Sequence, residues 1–422
     1  MSSVSLDGRG RARDLRVAPP ALPPAHRGRG CDKATALLHS PRAAVITGLG
    51  VVSPLGSGVR AFWEGLVAGR TAVAPITSFP AEDLEPRNAA EARDVPVDDP
   101  DRAGALALRA ATEAVTTAAL DGIPPARMGV ALGTTLGGML LFERWMAREP
   151  VPRPERIPYY APAVRLARML ACRGPVATPQ LACASGTHAI ALAAEWVRRG
   201  RADVVLAGGT DFLCRFVVAG FNCLRATADM PRPFDVRRRG LVLGEGAAIV
   251  VVEEEGHAAR RGAAVRARLA GIGCAADATH MTAPDREGGG ATRALLAALD
   301  DARLMPEAVD FVSAHGTGTP YNDAMEAVAL ARVFGVGRVP VNSIKGAIGH
   351  TLGAAGALEA ALCVETLARG VVPPTAGLET VDPACAGLDL VYGEPRRHTV
   401  RAAISTSSGF AGTNAALVLT AP

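Results

Sequence analysis

Apolar positions along this chain change period several times, and the changes predict alternating strands and helices. The unbroken run Ala43-Ala-Val-Ile-Thr-Gly-Leu-Gly50 predicts a buried strand that opens the folded part, followed by a helix near residues 61–68. Helical spacing then covers residues 106–120, a strand follows over 128–134, and Thr135-Leu-Gly-Gly-Met139 leads into another helix. Residues 202–210 predict a strand, and Ala247-Ala-Ile-Val-Val-Val252 is too apolar for an edge strand; a charged helix over 253–261 follows it. The second part repeats the rhythm, with helices over 291–302, 323–334 and 354–369 and strands over 309–313 and 339–342. This alternation predicts an α/β protein with a largely parallel, covered sheet, and the two similar halves suggest an internal duplication. We place the seam at residue 262, giving an extension over 1–41, one half over 42–262 and another over 263–422.

Composition sharpens this picture. The chain has 422 residues, 46 of them glycine, and only 4 % are aromatic, so the core must be Ala, Val and Leu packed on closely approaching backbone. Residues 1–41 are rich in Arg, Pro and Gly, predict a disordered extension, and carry the whole formal excess of +4; the neutral remainder excludes a nucleic-acid footprint. Glu245 and Glu359 interrupt the two most apolar stretches, so no membrane span is predicted. Eight cysteines without a C-x-x-C pair indicate a reducing, cytoplasmic setting and no disulfide framework. A dinucleotide site at Gly48 and Gly50 fails because its third glycine position is Ser53.

Four clusters carry candidate chemistry. In Leu181-Ala-Cys-Ala-Ser-Gly-Thr-His-Ala-Ile190 the helical spacing of Ile190, Ala193, Ala194 and Val197 puts Cys183 at or just before a helix N-terminus, where unpaired N–H groups favour a thiolate and supply oxyanion donors. Ala182, Ala184 and Gly186 leave room for a substrate carbonyl. His315-Gly-Thr-Gly-Thr-Pro320 follows a strand, the address of ligands in open α/β sheets, and Thr317 and Thr319 offer hydroxyls. The spacing of His315, Asp323 and Glu326 matches no standard metal motif, and no metal is expected. Lys345-Gly-Ala-Ile-Gly-His350 precedes a helix of small residues, and Ser405-Thr-Ser-Ser-Gly-Phe-Ala-Gly-Thr-Asn414, which includes Gly409-Phe-Ala-Gly-Thr-Asn414, predicts a polar glycine loop between two apolar strands, with Phe410 placed as a mobile door.

These clusters, in this order and spacing, resemble the β-ketoacyl synthases, condensing enzymes of the thiolase superfamily, over about residues 42–420. Arg173-Gly-Pro175, Arg232-Pro-Phe-Asp235 and Gly244-Glu-Gly246 look like further signatures. The resemblance implies a five-layer α-β-α-β-α fold from two duplicated halves and a 3-oxoacyl-[acyl-carrier-protein] synthase serving fatty-acid or type II polyketide or polyene biosynthesis. The implied partners are an acyl carrier protein and a second subunit, either a copy or a paralogous ketosynthase. No cofactor is implied, since substrates ride on the carrier's phosphopantetheine. By the same resemblance Cys183 takes the acyl group, the N–H groups of Cys183 and Phe410 form the oxyanion hole, and His315 and His350 stabilise the enolate left by loss of CO2. Thr317 and Thr319 hold the pantetheine arm, Asp323 and Glu326 support the site, and Lys345 pairs with Glu326. Ser408, Ala411, Leu241 and Pro179 depart from the fatty-acid pattern, and Ser408 looks more like the polyketide synthases. Three other readings weigh against this one: a non-catalytic partner subunit, which would lack Cys183; a thiolase, which would need a late second cysteine; and a Cys-His acyl hydrolase, which would release an acid.

Overall fold

The computed structural model describes residues 42–96, 99–120 and 122–422; the extension over 1–41 lies outside the described residues. Ten strands build the central sheet: β1 (Ala44–Ser53), β2 (Met128–Gly133), β3 (Val176–Ala177), β4 (Val204–Asp211), β5 (Gly246–Glu254), β6 (Ala267–Ala276), β7 (Phe311–Ser313), β8 (Pro340–Asn342), β9 (Ala402–Gly409) and β10 (Thr413–Thr420). Gly56–Ser57 and Asp389–Leu390 add short strands at the margins. The first half runs in the order β3-β2-β4-β5-β1 and the second in the order β8-β7-β9-β10-β6. The two join where Val45 and Ile46 of β1 pair antiparallel with Arg268 and Ala267 of β6.

Each strand of the first half thus has its counterpart five strands later, and the directions agree as well. In both halves three strands are parallel and the next two antiparallel. The sheet is therefore mixed, which corrects the largely parallel sheet expected from the alternation. A parallel neighbour needs a crossover, whereas an antiparallel one needs only a return. β9 and β10 are joined by the three residues Phe410–Gly412, so no crossover is possible there.

Seven of the helices among the described residues build the layers and the site: α1 (Arg102–Ala118), α2 (Ala161–Met169), α3 (Ser185–Arg198), α4 (Arg215–Cys223), α5 (Gly289–Ala302), α6 (Pro320–Phe334) and α7 (Ala355–Arg369). Helix α1 covers β1 and β5, and α5 covers β6 and β10, each on an outer face. Between the two halves of the sheet α3 lies against β2 and β4, α7 lies against β9, and the two helices touch. A helix in a middle layer is buried all round, and every residue of α7 from Ala355 to Thr366 is buried. Small residues let these helices approach: a Cβ on Gly356 would sit 1.8 Å from Thr187 Oγ1. Polar residues in the apolar runs are paired, not exposed. Glu245 is buried in a bidentate ion pair with Arg102, whose Nε donates at 2.8 Å. Glu254, expected in a helix, ends β5 and caps the short helix Glu255–Arg260 by accepting from the N–H groups of Gly256 and His257.

Candidate active site

Cys183 projects from a tight turn between β3 and α3. Ala182 takes a left-handed φ of 48°, Ala184 N donates to Leu181 O, and Ser185 N donates to Ala182 O. Ser185 Oγ accepts from Leu181 N at 2.9 Å and donates to Ala182 O at 2.6 Å, which closes the turn on itself. The thiol lies two residues before the first turn of α3 and is buried. Burial pushes it up to about 12, while Lys345 pulls it down. Desolvation of the buried sulfur thus opposes the thiolate that the helix N-terminus favours.

The His315 loop leaves the end of β7 and is gripped by two carboxylates of α6. Glu326 accepts from the backbone N–H groups of His315 and Gly316, both at 2.7 Å, and from Thr406 Oγ1. Asp323 accepts from the N–H groups of Phe234, Thr317 and Gly318. Both carboxylates are occupied in shaping backbone. Lys345 does not pair with Glu326 as expected: its Nζ contacts the Glu359 carboxylate, donates to His315 O at 2.5 Å and approaches His315 Nδ1 at 3.3 Å. The physical reason is the register of α7, which brings Glu359 to Lys345, while Glu326 is held by its own three donors, His315 N, Gly316 N and Thr406 Oγ1.

His315 and His350 face each other edge to face, with ring centroids 5.3 Å apart. Burial holds both imidazoles well below the ordinary histidine range, and Lys345 pushes in the same direction. Both rings are thus neutral at neutral pH, and their tautomers follow from their neighbours. Leu352 N donates to His350 Nδ1 at 3.1 Å, and an ammonium, a donor only, faces His315 Nδ1. Each ring therefore carries its proton on Nε2.

Cys183, His315, His350, Thr317, Thr319 and Phe410 line one cavity of about 360 Å³. A second cavity of about 350 Å³, lined by Leu136, Val217, Gly220 and Leu352, also reaches Cys183. Phe221 and Phe410 border both and stack with centroids 5.8 Å apart. Gly409 sits against the nucleophile turn, since a Cβ there would lie 3.2 Å from Cys183 N. Thr317 and Thr319 hydroxyls are hydrogen-bonded to each other at 2.9 Å. Ala411 holds the left-handed φ of 64° of a turn usually left to glycine, and Leu241 and Ser408 line the first cavity.

Three residues of this site escaped sequence reasoning. Glu359 was visible only as a charge inside an apolar helix, and Phe221 only as an aromatic in a weak pattern. Asp211, fully buried at the end of β4, accepts five hydrogen bonds: from Thr134 Oγ1, Thr135 N and Oγ1, Leu136 N and Gly353 N. An acidic residue ending an apolar strand was the available signal.

Family models for the N-terminal and C-terminal domains of β-ketoacyl synthases match residues 42–258 and 266–379. The chain is 38 % identical to the tetracenomycin polyketide synthase ketoacyl synthase alpha subunit of Streptomyces glaucescens, over 91 % of this chain and 98 % of that one. It is 39 % identical to 3-oxoacyl-[acyl-carrier-protein] synthase 2 of Coxiella burnetii, over 90 % of this chain and 98 % of the relative. The solved ishigamide ketosynthase/chain length factor superposes with a TM-score of 0.85 at 38 % identity, covering 91 % of this chain and all of that one. A type II polyketide synthase acyl-carrier protein in complex with its ketosynthase bound to the hexaketide gives 0.84 at 30 % identity, covering 91 % of this chain and all of that one.

Proposed function

The chain belongs to the β-ketoacyl synthase family and is an acyltransferase, and from that premise we propose how its own residues divide the decarboxylative condensation. The carrying observation is the shared cavity into which one thiol and two Nε2–H imidazoles open. The Cys183 thiol attacks an acyl thioester borne by an acyl carrier protein, its proton leaves with the carrier thiol, and the acyl group stays on sulfur. The N–H groups of Cys183 and Phe410, brought close by the packing of Gly409, receive the oxyanion. A malonyl thioester then enters along Thr317 and Thr319. Its C–CO2 bond breaks, the electron pair forms an enolate, and the Nε2–H groups of His315 and His350 donate to the enolate oxygen. The enolate carbon attacks the acyl carbonyl, the C–S bond to Cys183 breaks with its electron pair on sulfur, a 3-oxoacyl thioester departs, and the sulfur takes up one proton from solvent to restore the thiol.

Neutral rings suit this role, because a donor is needed and no net proton transfer to the enzyme is required for CO2 loss. Lys345 and Glu359 hold the His315 tautomer. The second cavity takes the acyl chain, and the Phe221–Phe410 pair stands between the two. Ser408, which stands where the fatty-acid pattern has phenylalanine, donates to Asn414 Oδ1 in the wall of the first cavity, and this departure together with the polyketide relatives supports a polyketide role over saturated-chain synthesis. A second subunit, a copy or a paralogue, completes the assembly.

Incubation with acyl-carrier thioesters of several lengths, followed by malonyl carrier and intact-mass analysis, tests this reading. The wild type is expected to gain one acyl group and lose it to a 3-oxoacyl product, whereas Cys183→Ala gains none. An adduct on Cys183→Ala, or release of free acid in place of the ketoacyl product, would overturn it.

A further inference from the structure

The turn that carries His350 is anchored at both ends. On one side His350 N donates to Val242 O at 2.6 Å and Gly244 N donates to His350 O at 3.0 Å. On the other, Gly353 N donates to Asp211 Oδ2 at 2.6 Å. Between these anchors Leu352 is buried and held at a φ of 52°, a conformation that a leucine adopts only when its surroundings impose it. This conformation aims the Leu352 N–H at His350 Nδ1. Gly353 has no side chain because a Cβ would meet Asp211 Oδ2 at 2.7 Å and Thr134 Cα at 2.9 Å.

We propose that Asp211 is a positioning residue for His350: by gripping Gly353 it keeps Leu352 in its left-handed turn, and so keeps the Leu352 N–H on Nδ1 and the imidazole proton on Nε2. The division of contacts on the carboxylate fits this role. Oδ1 accepts from Thr134 Oγ1 and Leu136 N, and Oδ2 accepts from both groups of Thr135 and from Gly353. Thr134 Oγ1 in turn accepts from Gly137 N, so its hydroxyl proton is committed to Asp211. All five contacts are donors, and the group must be an acceptor on both oxygens. An asparagine in its place would turn an NH2 toward N–H groups and release one set. Asp211 therefore ties the ends of β2 and β4 in the first half to the His350 turn in the second, although it touches no substrate.

This inference rests on the proposed role of His350 in CO2 loss, but its first test does not need activity. In protein labelled with 15N-histidine, and with the resonance assigned through His350→Asn, wild-type His350 is expected to show the Nε2–H tautomer alone. Asp211→Asn is expected to show a mixture or the Nδ1–H form. The functional arm is a double-mutant cycle on malonyl-carrier decarboxylation. Asp211→Asn is expected to slow CO2 loss by about 10- to 100-fold, and by more than it changes acylation of Cys183. In the His350→Asn background the same substitution is expected to cost nothing further. Where Asp211→Asn does not fold, Thr135→Val, which removes one donor from Oδ2, goes through the same cycle with a smaller effect. An unchanged tautomer, or costs that multiply independently in the cycle, would overturn the inference. If the tautomer shifts while the wild type releases no CO2, it is the reading of His350 in catalysis that fails.

Discussion

At the scale of single residues, the contact between Lys345 and Glu359 is the most consequential, because both side chains are buried and only one of them touches a histidine. Burial raises the Glu359 carboxyl to about 7, with Lys345 opposing the rise. A carboxyl whose folded value lies above its unfolded value of 4.5 binds a proton in the folded state that the unfolded chain has already released. Its contribution to stability is therefore full below about pH 4.5 and declines as pH rises toward about 7. Urea titrations at successive pH values should show the wild type losing stability relative to Glu359→Gln across that window and running parallel to it above. Curves that stay parallel throughout would mean that the carboxyl is not raised. The residue was hard to find in advance for the same reason: an acid inside an apolar helix reads as an interruption, and only the register of α7 against Lys345 turns it into a partner. Cys183, His315 and His350 were singled out because glycine clusters beside them mark tight backbone, and the structure brings the three to one cavity.

At the scale of elements, the two halves differ where Phe410 is held. The β4 to β5 connection carries α4, whereas the β9 to β10 connection is the short turn Phe410–Gly412, and Phe221 of α4 stacks on Phe410 of that turn. Phe221→Ala removes a stacked pair worth about 0.5–1.5 kcal/mol, so the open position of Phe410 should gain about two- to tenfold in population. The rate of Cys183 alkylation by iodoacetamide reads this directly and should rise by that factor; an unchanged rate would place the barrier elsewhere. Strongly periodic elements were legible: the middle-layer helix α3, the outer helix α1 and the apolar strand β5 stand close to where the pattern put them. β6 was not, since Gly271 and Gly273 dilute its alternation. Those glycines are there for packing, as a Cβ on either would lie 2.1 or 1.9 Å from a carbonyl of α5. The polar run before Phe410 read as a loop, yet Ser405 to Gly409 belong to β9, where Thr406 Oγ1 donates to Glu326 and Ser407 Oγ to Glu359.

At the scale of the whole molecule, duplication does not make the halves independent. Each contributes one helix to the middle layer, and α3 and α7 bury their small faces on one another: Gly186 meets Gly353 O and Gly356 meets Thr187 Oγ1. The site itself divides the same way, with Cys183, Asp211 and Phe221 from the first half and the histidines, Lys345, Glu359 and Phe410 from the second. A half alone would expose the apolar face of its sheet and of its middle helix, a patch far larger than the few hundred Å² that a soluble surface tolerates. Residues 42–262 and 263–422 produced separately should therefore each lack a cooperative thermal transition, while the intact chain unfolds in one step by both near-UV and far-UV circular dichroism. A cooperative melt from either half would show that its core closes without the other. In that case the middle layer would be an interface between two domains, and the coupling of Asp211 to His350 would have to cross a boundary able to open.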